Sequence, residues 1–251
     1  MRFAWLITMS LLLVAAPAAA QIGPPQPRAA PFDYTLGVGL HNLQNEWNPY
    51  DYTVSRNRVY LEGSFGLSEN LEVFGRVGGS DWTINDVNTY EEDLEKDVSS
   101  HGYPAFGSLG IRGRGWQAGP WSLGASLEVA WYNALETNLR WDYDVYQELY
   151  FDSTLEFNIG ITLGYELGCS IVYGGPLFHF AYTRADVRTH EFGMDWDVED
   201  DIDELTVRDK AGVGAFLGWR TPIGEYGWNL QLEGSALPGG FGGAVGFYKT
   251  R

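Results

Sequence analysis

Asp195, Asp197 and Glu199 stand at alternate positions, the spacing at which carboxylates of a calcium loop share one ion. Asp200 stands where such a loop needs glycine for its turn, and no bidentate glutamate closes the run at the required distance. The run is therefore a candidate for Ca2+ or Mg2+ and otherwise a solvated acidic loop, and no other cofactor is implied. Histidine, a ready general base near neutral pH, occurs only at His41, His101, His179 and His190. His179 falls on the polar side of an alternating run and could take a proton, but no serine can be placed beside it from the sequence. No G-x-S-x-G, H-E-x-x-H, Walker or dinucleotide motif occurs. With one cysteine, Cys169, no intramolecular disulfide can form. These residues do not argue for an enzyme.

A second set of charges has a more regular placement. Glu62, Arg76, Arg112 and Glu128 fall near the middle of four successive alternating runs, where opposite signs could pair across a ladder. Glu156, Lys210 and Glu233 occupy the same polar side of later runs. Glu72 and Glu166 join the acids on that side, and Arg58, Arg114, Arg208 and Arg220 join the bases. A charge in a narrow interior is costly unless paired and hydrogen-bonded. The near balance of signs predicts an interlocked ion-pair network.

Strands must position such a network. From Leu155 to Leu167 apolar and polar residues alternate without a break, the period-two pattern of a two-faced strand. The run is longer than strands of soluble domains usually are and long enough to cross a bilayer at a tilt. Comparable runs begin near Phe32, Val59, Leu71, Gly107, Leu123, Phe178, Ala211, Trp228 and Phe241. Ten strands result, with eight and twelve as the alternatives. The connections alternate in length: 41–57, 82–104, 134–150 and 187–206 are long, whereas 67–70, 116–120, 168–175 and 221–226 are short, and only 236–240 breaks the order. Long loops at one end and short turns at the other are the pattern of an up-and-down transmembrane barrel, an all-β antiparallel fold. Trp82, Tyr103, Trp131 and Tyr132 gather toward one rim, and Tyr34, Trp116, Trp121, Trp219, Trp228 and Tyr248 toward the other, as headgroup-level aromatics do. Ten strands enclose little free space, and inward Phe74, Phe106, Phe216, Tyr60 and Tyr132 would fill it. The lumen is expected to be largely plugged.

Residues 1–20 read as a secretory leader: Arg2, an apolar stretch too short to span, then Ala18-Ala19-Ala20 before Gln21. Residues 21–31 form a proline-rich segment expected on the periplasmic side, and 32–251 the barrel. After the leader no apolar run is long enough for a membrane helix. The final run carries Gly242, Val245 and Phe247, which resembles the C-terminal assembly signal of Gram-negative outer-membrane barrels, although four residues follow Phe247. The chain as a whole resembles small members of that class. The resemblance implies export to the cell outer membrane, insertion by the barrel-assembly machinery, and contact with membrane lipid and lipopolysaccharide. A monomer is favoured.

Ten-stranded barrels of this class include the omptin proteases, whose family pattern sets a carboxylate pair opposite an Asp-x-His pair. Here Asp81 and Asp86 lack that spacing and His190 follows Arg188, so no omptin role carries over. The formal net charge is −17, and the loops 82–104, 134–150 and 187–206 hold −5, −3 and −7 of it. That excludes nucleic acid as a partner, since its phosphates would be repelled. The leading expectation is a non-enzymatic outer-membrane protein with acidic loops, an ion-paired lumen and a structural or surface-interaction role. A narrow channel for small solutes is second and an outer-membrane hydrolase third.

Overall fold

The computed structural model describes residues 22–48, 52–88, 95–99, 103–140, 145–192, 198–209, 212–224 and 226–250. Ten long strands form the wall: β1 (Tyr34–Asn48), β2 (Tyr52–Ser68), β3 (Leu71–Asn88), β5 (Ala105–Ala118), β6 (Trp121–Tyr132), β9 (Thr154–Leu167), β10 (Ser170–Phe192), β12 (Gly212–Ile223), β13 (Trp228–Leu237) and β14 (Gly240–Thr250). Each pairs antiparallel with the next, and β14 returns to β1 from Thr35↔Thr250 to Asn45↔Gly240. The sheet is a closed ten-stranded barrel, so its wall has no unpaired edge.

Four further strands, β4 (Glu95–Ser99), β7 (Leu135–Arg140), β8 (Val145–Phe151) and β11 (Val198–Asp209), stand at the loop end. β8 pairs with the far part of β10 and carries β7; β4 pairs with β3. β11 spans from β10 to β1, where Trp47 lies opposite Asp209. It thus passes above the short β13–β14 turn, whose Gly239 carbonyl accepts from the Glu46 amide at 3.0 Å. The short connection 236–240, irregular in the sequence, is the place where the wall is low and β11 completes it.

The expected long loops are largely strand. β1 and β2 extend far into 41–57, β10 runs to Phe192, and β7 and β8 take up most of 134–150, β8 ending at Phe151. The apolar alternation marks only the part of each strand with an apolar outer face. Beyond it the backbone still pairs, because unpaired amides and carbonyls are costly, while the side chains turn polar and hide the period.

The two faces separate cleanly. Leu36, Leu61, Val77, Leu109, Ile161 and Leu217 point outward and are exposed, whereas Glu62, Arg76, Arg112, Glu128 and Glu156 point inward and are buried. Two aromatics expected at the rims, Trp82 and Tyr248, instead face the lumen and are each at most 4% exposed, and Tyr132 is buried there as its inward parity predicts. Their parity, not their distance from a strand end, decides the side. Trp116, Trp121, Trp131 and Trp228 do face outward. Arg208, expected inward, is exposed, and Asp209 takes the inward position.

Inward glycines make room for the rings. A Cβ on Gly39 would collide with the Tyr60 ring, and one on Gly110 with the Phe74 ring. Gly39→Val should therefore lower stability by about 1–3 kcal/mol through overpacking. The midpoint of thermal loss of folded-barrel gel migration measures it, and an unchanged midpoint would show that Tyr60 is free to move away.

Candidate functional site in the barrel lumen

The strand registers set the lumen charges against one another. Glu62 of β2 lies directly opposite Arg76 of β3, and Glu72 of β3 opposite Arg112 of β5. The Arg76 Nε donates to Glu62 Oε2 at 2.8 Å, and its Nη1 reaches both oxygens of Glu128 at 2.7 and 2.8 Å. The Arg112 Nη2 donates to Glu62 Oε1 at 2.9 Å, and its Nε pairs with Glu72. Ser108 Oγ adds a 2.6 Å bond to Glu128. The Arg76 and Arg112 guanidiniums also lie over the Phe74 ring, 4.9 and 4.5 Å from its centroid. Every carboxylate in this layer is met by a cation in a water-poor interior, the condition under which buried charges are tolerated.

The proline-rich segment enters this layer. It was expected outside the barrel, yet Ile22–Pro25, Arg28 and Ala29 are buried within it. At the turn end the chain reverses at Phe32, whose φ of 63° lies in the left-handed region, and Pro31 bridges to Gly66. The Arg28 guanidinium pairs with Glu62, donates to Gln231 Oε1 at 2.6 Å, and sits 3.6 Å from the centroid of the Tyr248 ring. The Arg28 and Ala29 amides donate to Glu72 Oε2 at 2.8 and 3.0 Å. The Ile22 and Gly23 amides donate to Glu233 at 2.6 and 2.9 Å, and Tyr173 Oη adds a third bond at 2.9 Å. Ile22 packs with Ile171, Tyr173, Leu177 and Phe216.

A second layer closes the loop-end half. Glu156 accepts from Arg56 Nη1 at 2.8 Å, Arg58 Nη2 at 2.6 Å, Tyr132 Oη at 3.0 Å and Asn158 Nδ2 at 2.9 Å. Trp47, Trp82 and Tyr132 surround the Arg56 guanidinium at 5.2–5.9 Å, an aromatic enclosure suited to a cation. Tyr60, Trp82, Phe106, Tyr132 and Phe151 belong to one buried cluster in this half. His179 Nδ1 lies 2.7 Å from Asn158 Oδ1, and its Nε2 lies 2.9 Å from Asp209 Oδ2. Asp209 also accepts from the Ala181 amide at 2.8 Å and from Asn45 Nδ2 at 3.2 Å. Among the described residues the partners of the His179 ring are Asn158, Asp209 and Glu156, none of them a hydroxyl.

Of the charges singled out in the sequence, Glu62, Arg76, Arg112 and Glu128 meet in one network, and Glu156 centres another. Glu233 holds backbone amides instead; among the described residues no basic side chain forms an ion pair with it. Lys210, Asp195 and Asp197 lie outside the described residues. Glu199 is described only as a backbone position of β11, opposite Glu191. Gly242, Val245 and Phe247 lie on β14 beside β1 and β13, with Phe247 exposed on the outer face. Sequence reasoning missed Arg28, Arg56 and Asp209. Arg56 shares the parity of Arg58, Tyr60 and Glu62 but falls within the presumed loop 41–57. The one signal for Arg28 is that it is the sole charge in an otherwise apolar and proline-rich stretch.

No protein-family model matches the chain, and no curated protein matches it in sequence. The solved structures it resembles are Gram-negative outer-membrane β-barrels. The translocator domain of the autotransporter NalP from Neisseria meningitidis is similar at a TM-score of 0.49 and 14% identity, over 86% of this chain and 88% of that one. The outer membrane protease OmpT from Escherichia coli is similar at a TM-score of 0.49 and 8% identity, over 93% and 99%. The Pseudomonas putida toluene transporter TodX follows at 0.41 and 11%, over 86% and 68%. Likeness at this level carries no residue role or activity to this chain.

Removing a buried partner should cost far more than removing a rim charge. Arg76→Ala strips a cation from both Glu62 and Glu128 and should destabilise the barrel by about 3–5 kcal/mol. Arg114→Ala breaks only an exposed contact to Asn70 and should cost less than about 1 kcal/mol. Urea titration in detergent separates the two, and equal effects would refute a dominant internal network.

Proposed function

We propose that this chain is an integral outer-membrane protein whose sealed barrel serves a structural or surface-interaction role and performs no catalysis. The observation that carries this reading is the inversion of the usual protein: a closed sheet with a charged, paired interior and a continuous apolar exterior. An apolar surface of this extent is untenable in water and is what hydrocarbon requires. Lumen charges neutralised by neighbours, with aromatics filling the loop-end half, support a lumen closed to solutes. Within the ten-stranded wall no strand edge is left for a second copy, which supports a monomer.

The acidic connections support the surface role. Their concentrated carboxylates suit divalent-cation bridges to anionic lipopolysaccharide. The leader 1–20 suits export, and β14 with Gly242, Val245 and Phe247 suits recognition by the assembly machinery.

Two measurements test this. The processed full chain should need detergent, migrate differently before and after boiling, and show no discrete conductance in planar bilayers. A monodisperse, detergent-free protein would sink the membrane reading; regular conductance steps would favour the narrow channel. On the outer face, Leu61→Arg should cost about 2–4 kcal/mol in refolding into lipid, followed by tryptophan fluorescence against urea. A change under about 0.5 kcal/mol would put water, not lipid, on that face.

A further inference from the structure

The turn-end half of the lumen is more than a filled interior: it is shaped around an extended peptide. We propose that it is a peptide-binding site whose ligand is the chain's own Ile22–Ala29 segment, and that this segment is a displaceable plug of the turn-end half. The proposal rests on the outer-membrane reading above and goes beyond it.

The contacts are those of peptide recognition. Pro24, Pro25 and Pro27 have no amide proton, so the segment carries five backbone donors, at Ile22, Gly23, Gln26, Arg28 and Ala29. Four of them are taken in adjacent pairs by two wall carboxylates, Glu233 and Glu72. Backbone groups that leave a sheet must find such partners. Arg28 supplies the side-chain anchor through Glu62, Gln231 and the Tyr248 face. The wall is relieved where the segment lies. A Cβ on Gly124 would stand 2.7 Å from Pro25 Cβ, one on Gly164 2.9 Å from Pro25 Cγ, and one on Gly160 would collide with Ile22. Three glycines on β6 and β9 thus form a trough under Ile22 and Pro25.

The wall does not need the plug to stay closed as a sheet. The β1–β14 ladder completes the barrel by itself. Without Arg28, Glu62 keeps Arg76 and Arg112, and Glu72 keeps Arg112. Among the described residues the segment pairs with the wall backbone only at its base, where Pro31 bridges Gly66 and the Phe32 amide donates to the Gly66 carbonyl. Beside that base, the left-handed Phe32 stores conformational strain, which places a hinge where a displaced segment would swing toward the turn end. Leaving the lumen exposes Glu72 and Glu233 to water, which solvates them in place of the four amides.

Deleting 22–29 tests the plug directly. The shortened barrel should bind a fluorescein-labelled synthetic peptide of sequence Ile22–Ala29, added at the turn end, more tightly than the full chain, whose own segment occupies the site. The same peptide with Arg28→Ala should bind about tenfold more weakly or worse. A shortened barrel that keeps its heat-modified migration, inserts, and binds no peptide would overturn the proposal while leaving the outer-membrane reading intact. A full chain that does not insert would remove both. Should the deletion not fold, the intact chain carrying I22C, G160C and C169A serves. The seated plug brings the first two thiols into disulfide range across the lumen. Oxidation should form that bond and abolish uptake of the labelled peptide, and reduction should restore it. No bond in the folded barrel, or equal uptake before and after reduction, would equally overturn the proposal.

Discussion

Charge that cannot reach water must meet an opposite charge or hydrogen-bond donors, and this constraint organises the molecule. Closing ten strands into a cylinder removes every edge, but it also commits alternate residues of each strand to a narrow interior. The interior then accepts carboxylates and guanidiniums where the register, a reach across the lumen or the inserted segment brings partners together. Glu62 opposite Arg76 and Glu72 opposite Arg112 are direct consequences of the β2–β3–β5 pairing. A one-residue slip would turn all four outward into the apolar band and point Leu61 and Val73 into the lumen. Register, lumen chemistry and membrane compatibility are one requirement seen from three sides.

The lumen is divided by the kind of group that fills it. At the turn end the filling is peptide backbone and a single arginine, held by wall carboxylates. At the loop end it is aromatic rings around Arg56, with Glu156 and the His179–Asp209 contact beneath them. The first kind of filling is attached to the wall chiefly through side chains and is connected through one strained residue. The second belongs to the wall strands and cannot leave without unfolding them. The difference is what makes one half of the lumen a candidate peptide site and the other a fixed cap.

Much of the architecture was legible because it is written in a local period. Alternation located all ten wall strands, and the long-short order of the connections located the two ends. Glu62, Arg76, Arg112 and Glu128 were legible as a network because they sit mid-run at the right parity. Where the outer face ceases to be apolar the period fades, so the far extents of β1, β2 and β10 were read as loop and Arg56 was lost with them. Trp82 and Tyr248 were misplaced for a related reason: nearness to a strand end suggested a headgroup-level ring, but the side of the sheet depends on parity carried over from the strand's middle.

The order of residues along the chain determined that strands form, which of their faces is apolar, and that the polar faces carry nearly balanced charge. It did so because these properties depend on neighbours one and two residues apart. Only the tertiary structure decided that Ile22–Ala29 turns back into the barrel, that Glu233 holds backbone amides rather than a cation, and that β11 crosses to β1 above a short hairpin. Each of those contacts joins residues more than thirty positions apart. Their energies exist only once the cylinder has closed and water has been excluded from its centre.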